Sequence, residues 1–133
     1  MKVRLIGFWL VFVLAGCGGA DQDIKDSHHT YLSSFGWTVD SKVEETTETL
    51  RHAPEQIENY RIAGMNFSPY QGKDAVITTY LLKDKQENGD EMRVEVYEVE
   101  GEIIGGFGIL EGWDPGLFSM DDRERLVRDG IMR

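Results

Sequence analysis

The 133-residue sequence contains a single cysteine, only three prolines and no long apolar run. One cysteine excludes an internal disulfide framework. A helix that spans a bilayer needs about 20 apolar residues, whereas the apolar stretch at residues 5–14 is much shorter. The serines occur in no Gly-x-Ser-x-Gly motif, and the glycine-rich stretch 105–108 lacks the Lys-Ser/Thr ending of a phosphate-binding loop. The sequence therefore carries no signature of a serine hydrolase or a nucleotide-binding enzyme.

The first residues follow the three-part pattern of a secretory signal peptide. Two basic residues come first, the apolar residues 5–14 follow, and small residues precede Cys17. The stretch Leu14-Ala15-Gly16-Cys17 resembles the lipobox of bacterial lipoproteins. This resemblance implies cleavage between Gly16 and Cys17 and transfer of a diacylglycerol to the Cys17 thiol. Two or three acyl chains would then hold the protein firmly, because a single chain binds a membrane only marginally. The alternative is an ordinary signal peptide with an incidental cysteine.

These features divide the chain into four parts. We predict a lipoprotein signal peptide at residues 1–16, a lipidated Cys17 with a short tether up to residue 23, an α+β domain at 24–118 and a helical tail at 119–133. The predicted location is extracytoplasmic, with the domain anchored to the cell membrane by the N-terminal lipid. Apart from the covalent lipid on Cys17, we expect no cofactor.

The chain is strongly acidic. The net charge is −10 at pH 7, and removal of Lys2 and Arg4 with the signal peptide takes it to −12, because all 24 acidic residues follow residue 20. Such a field disfavours nucleic acids and anionic lipid headgroups, and it suits cations or a basic partner. The simpler alternative is that the acidic surface only keeps the protein soluble.

Helical periodicity occurs in two places in the first half of the domain. Mostly apolar residues recur on one helical face before a glycine, Gly36, and they are Ile24, His28, Tyr31, Leu32 and Phe35. His28 on this face is predicted to be a core residue. A second, short helix is predicted from Pro54 to Gly64. The polar, acidic stretch 40–48 between the two helices is interpreted as an exposed linker, which a weak strand could follow.

From residue 74 the periodicity changes to two, as in a strand. Three strands are predicted at 74–82, 92–99 and 102–110, separated by the turn sequences Asn88-Gly89 and Glu100-Gly101. A short terminal helix capped by a serine follows. Helices followed by antiparallel strands predict an α+β fold: an N-terminal helix packed on an antiparallel sheet of about three to five strands, with the second short helix before the sheet. This arrangement resembles cystatin-like and PepSY-like modules at the level of architecture.

Several short motifs occur in order along residues 28–118. They are Tyr31-Leu32-x-x-Phe35-Gly36-Trp37, Pro54, Tyr60, Gly64-Met65-Asn66-Phe67-Ser68-x-Tyr70-x-Gly72-Lys73 and Ile103-Ile104-Gly105-Gly106. The set resembles a family of small, uncharacterised lipoproteins of spore-forming Gram-positive bacteria, known only as a domain of unknown function. The chain departs from that pattern at Phe107, where the family has an aspartate. The resemblance implies the location and the fold, and it implies no activity.

The stretch 84–95 approaches the spacing of an EF-hand calcium loop. Its positions 1, 3, 5 and 12 are occupied by Asp84, Gln86, Asn88 and Glu95, and position 6 by Gly89. Strands rather than helices are predicted on both sides, so a solvated hairpin turn is the competing interpretation. The candidate metal ligands from this pattern are Asp84, Asn88 and Glu95.

The candidate contact residues are aromatic. Phe67 and Tyr70 lie in the glycine-bounded loop 64–72, and Trp113 lies in a turn that ends in Pro-Gly. Aromatic side chains often anchor a partner, whereas the alternative for Trp113 is that it caps one end of the core. Glycines inside a strand, as in 105–108, indicate close packing of another element, with an open sheet face as the alternative.

Taken together, these features favour a small binding or interaction module that holds a partner near the membrane. The expected partner is an envelope protein or peptide with a basic surface, and nucleic acid is not expected to bind. The alternative function is that of a cation- or solute-binding lipoprotein. No spacing of carboxylates or histidines singles out an enzyme.

Overall fold

The computed structural model of the protein describes residues 24–114 and 116–133. The predicted signal peptide, lipobox and tether, including Gly16 and Cys17, lie outside the described residues. Within the described part of the chain, no helix is both long and apolar enough to cross a membrane.

Over these residues the fold is α+β, with three α-helices and one open five-stranded antiparallel sheet. The strands lie side by side in chain order and are β1 (Val39–Thr49), β2 (Asp74–Lys85), β3 (Glu91–Val99), β4 (Glu102–Leu110) and β5 (Leu117–Ser119). The helices are α1 (Asp26–Ser34), α2 (Pro54–Ile62) and α3 (Arg123–Arg128). The α+β class with an antiparallel sheet of three to five strands is therefore confirmed, and the strands form an antiparallel meander. The second helix does not precede the whole sheet as predicted, because β1 comes before α2 in the chain.

The stretch 40–48 belongs to strand β1, so its interpretation as an exposed linker is wrong. Val39 pairs with Leu82 of β2, and from Glu44 to Thr49 every residue pairs in turn with β2. Threonine and valine favour extended backbone. Only the first residue of β1 is buried. Because neither side of the rest of this strand is buried in a core, its sequence does not alternate between apolar and polar residues. Hydrophobic periodicity could not reveal it for that reason.

Side chains of the sheet alternate between two cores, one on each face. The core on the side of α1 includes residues of that helix, of the sheet and of the C-terminus, such as Leu32, Tyr80, Val94, Phe118 and Leu126. The core on the side of α2 consists of Leu50, Ala63, Met65, Phe67, Ala75, Ile77, Tyr97, Val99 and Phe107. The two sides of the sheet are named the α1 face and the α2 face below.

The C-terminal residues complete the core on the α1 face. The Trp37 indole nitrogen donates a hydrogen bond of 2.8 Å to the Met120 carbonyl, and its ring lies 5.3 Å from that of Phe118. Leu126 and Met132 are each 1% exposed. Residues 119–133, predicted as a helical tail, thus contribute Met120, Leu126 and Met132 to this core.

Glycines in β4 leave space for the side chains that cover the α1 face. A Cβ atom on Gly108 would lie 2.0 Å from the Phe118 ring, far inside van der Waals contact. A Cβ atom on Gly106 would lie 2.5 Å from the Glu95 carbonyl oxygen and 3.5 Å from the Tyr31 ring of α1. These contacts agree with the prediction that the glycines permit close packing.

Candidate functional site

Three glutamates lie on the α2 face near the edge of the sheet that β1 forms. Glu44 of β1 and Glu95 of β3 pair with the same residue of β2, Thr79, from its two sides. Glu48 lies further along β1 and pairs with Ala75, a residue of the α2-face core. Paired residues of neighbouring strands project from the same face of a sheet. All three carboxylates therefore project from the α2 face, and Glu44, Glu48 and Glu95 are named the glutamate face.

The glutamate face has no ion-pair partner among the described residues. On the α1 face, by contrast, Glu45 and Glu98 both form ion pairs with Lys25, at 3.6 and 3.4 Å. Arg93 projects from the α2 face, but its ion pair of 3.8 Å is with Glu91. Near β1, the carboxylates on the α1 face are therefore paired with lysine, whereas those on the α2 face have no ion-pair partner among the described residues.

The electrostatics of neighbouring groups reflect this uncompensated charge. Burial raises the pKa of Glu95, and the charges of Glu44 and Glu48 raise it further, against a hydrogen bond of 3.0 Å from the Tyr97 hydroxyl. Burial also raises the pKa of Tyr60 in α2, with additional contributions from Glu95 and Glu48. Both shifts disfavour the anionic form, and a cation bound at the glutamate face would offset only the part of each shift that comes from the neighbouring glutamate charges.

The outer side of β1 is an open edge of the sheet. Among the described residues β1 pairs only with β2, so its outward N–H and C=O groups are not part of a ladder. Register shifts occur between Val39 and Ser41 and between Lys42 and Glu44. From Glu44 to Thr49 the pairing is regular, and this regular part of the edge carries two members of the glutamate face.

A cavity of about 380 Å³ lies between α2 and β5, and it is lined by Gln56, Asn59, Tyr60, Ile62 and Leu117. Helix α2 buries none of its residues, and Ile62 is 83% exposed. The volume lies near the lower end of that of small-molecule pockets, which is about 300–1,000 Å³. Two amide side chains, a tyrosine and two aliphatic side chains favour no particular ligand chemistry, so we assign no ligand to this cavity.

A buried polar cluster fixes α1 to the sheet. His28 is completely buried, as predicted for a core residue. Its Nδ1 lies 2.6 Å from the Tyr80 hydroxyl, and its Nε2 forms a hydrogen bond with the Glu98 carboxylate. Burial lowers the pKa of His28 and raises that of Tyr80 to about 12. The neutral ring donates from Nε2 to Glu98 and accepts at Nδ1 from Tyr80, so both nitrogens are satisfied.

The structure does not bring the predicted calcium ligands together. Asp84 forms an ion pair of 3.5 Å with Arg123, and Asn88 lies in the turn between β2 and β3. Glu95 pairs with Thr79 of β2. Thr79 and Asp84 are five residues apart on that strand, so Glu95 lies about 16 Å from Asp84 along the strand direction. Within residues 24–114 and 116–133, no group of three or more histidine, cysteine or acidic side chains could hold a metal ion.

The three predicted contact residues occupy different environments. Phe67 is completely buried in the α2-face core, so it presents no surface to a partner. Tyr70 packs partly buried against the same core. Trp113 is 52% exposed, and its indole nitrogen donates a hydrogen bond of 2.9 Å to the buried side chain of Gln86. Trp113 is therefore the most exposed of the three, and it is held in place by a core residue.

Comparison with protein-family models, with curated proteins and with solved structures finds no match for this chain. Sequence reasoning did not single out Glu44 or Glu48, and it treated Glu95 only as a metal ligand. The alternation of glutamate with threonine at Glu44, Thr46 and Glu48 is a strand pattern with acids on one side. That pattern could have indicated an acidic strand, but the position of Glu95 beside it required the register of β2 with β3.

Proposed function

We propose that the protein is a membrane-anchored extracytoplasmic lipoprotein whose domain binds a basic segment of another envelope protein at the glutamate face. The observation that carries this proposal is the row of glutamates without an ion pair among the described residues: Glu44, Glu48 and Glu95. Lysine or arginine side chains of a partner would supply the missing charge, which favours the correct partner and speeds its encounter.

The charge of the whole chain supports a basic partner over other classes. The net charge of −10 repels nucleic acids and attracts basic proteins. A second copy of the same chain is disfavoured at this site, because the glutamates of one copy would approach those of the other.

The position of β1 relative to the predicted anchor also supports the proposal. Lys25, just before α1, lies 3.6 Å from Glu45 of β1, so the described chain begins beside this edge strand. Six residues, 18–23, separate the predicted lipidated Cys17 from Ile24, so these two residues lie at most about 25 Å apart. A lipid on Cys17 would thus keep the β1 edge close to the membrane. A partner that is itself a membrane or envelope protein could reach this edge there.

Two finer assignments belong to the same proposal. The helix that lies over an antiparallel sheet supports a cystatin-like or PepSY-like architecture, which implies no specific ligand. The ordered motifs in residues 28–118 support membership of the small lipoprotein family of spore-forming bacteria. Neither assignment alters the choice of partner chemistry.

We predict that reversing one charge of the glutamate face weakens the binding of a basic peptide. The probe is an eight-residue peptide that repeats Lys-Thr-Val-Thr, and the protein is the full chain purified in a neutral detergent. Glu48→Lys replaces an attraction by a repulsion, for which we expect about tenfold weaker binding, equivalent to about 1.4 kcal/mol. Isothermal titration calorimetry at physiological ionic strength, where the screening length is about 8 Å, measures the dissociation constant.

The matched control is Glu124→Lys, which makes the same charge change at an exposed residue of α3. We expect this control to change the dissociation constant by less than about twofold, because salt screens distant surface charges. Equal weakening in the two variants would contradict the proposal, since only net charge would then matter. Failure of the parent protein to bind the peptide, combined with stabilisation by calcium, would favour the cation-binding alternative.

A further inference from the structure

We infer that the partner segment binds as an additional β-strand along the outer edge of β1, with basic side chains four residues apart that face Glu44 and Glu48. This inference rests on the proposed function. It adds the conformation of the bound segment and the spacing of its basic residues, neither of which follows from charge alone.

The backbone of β1 provides the docking surface. Between Glu44 and Thr49 the strand pairs with β2 without a register shift, so its outward N–H and C=O groups form a regular row. An extended segment can complete this row with main-chain hydrogen bonds. Edge strands are normally protected against pairing by prolines, bulges or charges. This part of β1 has neither proline nor bulge, and its charged residues are glutamates, which repel acidic strands and attract basic ones.

The side chains of β1 specify the pattern of the partner. On the α2 face the added strand would lie beside Glu44 and Glu48, which have no ion pair among the described residues. On the α1 face it would lie beside Glu45, whose charge Lys25 and Lys42 already compensate. Cross-strand pairs of opposite charge are favourable. The partner therefore needs basic residues at positions i and i+4 on one face and uncharged residues on the other.

The opposite edge of the sheet is a poorer docking surface. Strand β5 comprises only the three residues Leu117–Ser119, and it would offer few main-chain hydrogen bonds to an added strand. Strand β1 has eleven residues. Antiparallel pairing of β1 with β1 of a second copy about Thr46 would place Glu44 opposite Glu48, and other registers of its regular part, which contains no basic residue, would leave all these charges uncompensated, which is unfavourable. A basic strand from a different protein would hydrogen-bond to the outward N–H and C=O groups of β1 and would also neutralise the charges of Glu44 and Glu48.

The test compares two N-methylated forms of the Lys-Thr-Val-Thr peptide. One form carries its methyl groups on the backbone nitrogens of the lysines and valines, and the other on those of the threonines. The two forms share all side chains, the charge and the number of methyl groups, but each blocks the opposite edge of an extended strand. With the full chain in detergent, we expect one form to bind within about threefold of the parent peptide and the other at least about tenfold more weakly.

A third peptide of the same composition tests the spacing. Placing its lysines three residues apart puts them on opposite faces of a strand, and we expect binding at least about fivefold weaker than that of the parent peptide. Equal affinities of the two methylated forms, whether high or low, would overturn strand addition. If the effect of Glu48→Lys persisted in that case, the proposed function would still stand. Absence of any binding of the parent peptide would instead contradict the proposed function itself.

Discussion

Replacing Trp37 by alanine is expected to lower the free energy of unfolding by about 4 kcal/mol. Trp37 is 1% exposed, and its ring lies 5.3 Å from that of Phe118. The variant would leave a cavity in the α1-face core, and the Met120 carbonyl would lose its hydrogen-bond donor. Urea unfolding of the full chain in detergent, followed by far-ultraviolet circular dichroism, measures the change.

Trp113→Ala is the matched control for this prediction. Its side chain is 52% exposed and makes one hydrogen bond to Gln86, so we expect a loss of only about 1 kcal/mol. Equal losses in the two variants would contradict the placement of Trp37 in the core and Trp113 at the surface.

Replacing His28 by alanine is the second change for which we expect a large effect, a loss of about 3 kcal/mol. The variant leaves the Glu98 carboxylate and the Tyr80 hydroxyl without their buried partner. It also removes the polar contacts that join α1 to β2 and β3. The neighbouring variant His29→Ala serves as the control, because His29 is exposed and should change stability by less than about 0.5 kcal/mol.

The same residue makes stability depend on pH. Burial lowers the pKa of His28 below its ordinary value of 6.5 in the folded protein, so the unfolded chain binds a proton more readily. The free energy of unfolding should therefore fall as the pH drops through 6.5 towards the lowered pKa, and the slope that His28 adds should fade about one pH unit above 6.5. Glu95, whose pKa is raised, contributes with the opposite sign between its ordinary pKa and the raised one.

Urea midpoints measured between pH 7.5 and pH 5.5 test this dependence. The parent protein should lose stability across the lower half of the range, and His28→Ala should lose less. A variant that loses stability as steeply as the parent would show that another group causes the slope.

The strands β2, β3 and β4 were predictable from the sequence, because their residues alternate between two faces with a period of two and because turn-forming pairs with glycine separate them. The predicted strands 74–82, 92–99 and 102–110 agree closely with β2, β3 and β4. Strand β1 left no such signal, since almost all of its side chains are exposed. Strand β5 has three residues, too few to show a period of two.

The candidate site could not be predicted, because it depends on register. Glu44 and Glu48 fall in a stretch interpreted as a linker, and Glu95 comes from a strand two places away in the sheet. Glu44 of β1 and Glu95 of β3 lie side by side across the sheet only because both pair with Thr79 of β2. The calcium-loop spacing also depends on backbone conformation: in an extended hairpin, Asp84 and Glu95 lie at different levels of the sheet, whereas a compact loop would bring them to one ion.

The binding claim is tested most directly by exchanging charge between protein and peptide. Glu44→Lys combined with Glu48→Lys is compared with the parent protein, each against the Lys-Thr-Val-Thr peptide and a Glu-Thr-Val-Thr counterpart. We predict that the variant binds the lysine peptide at least about a hundredfold more weakly than the parent does, and that it binds the glutamate peptide, which the parent rejects. A variant that still binds the lysine peptide, or that binds neither peptide, would contradict the assignment of the glutamate face as the binding site.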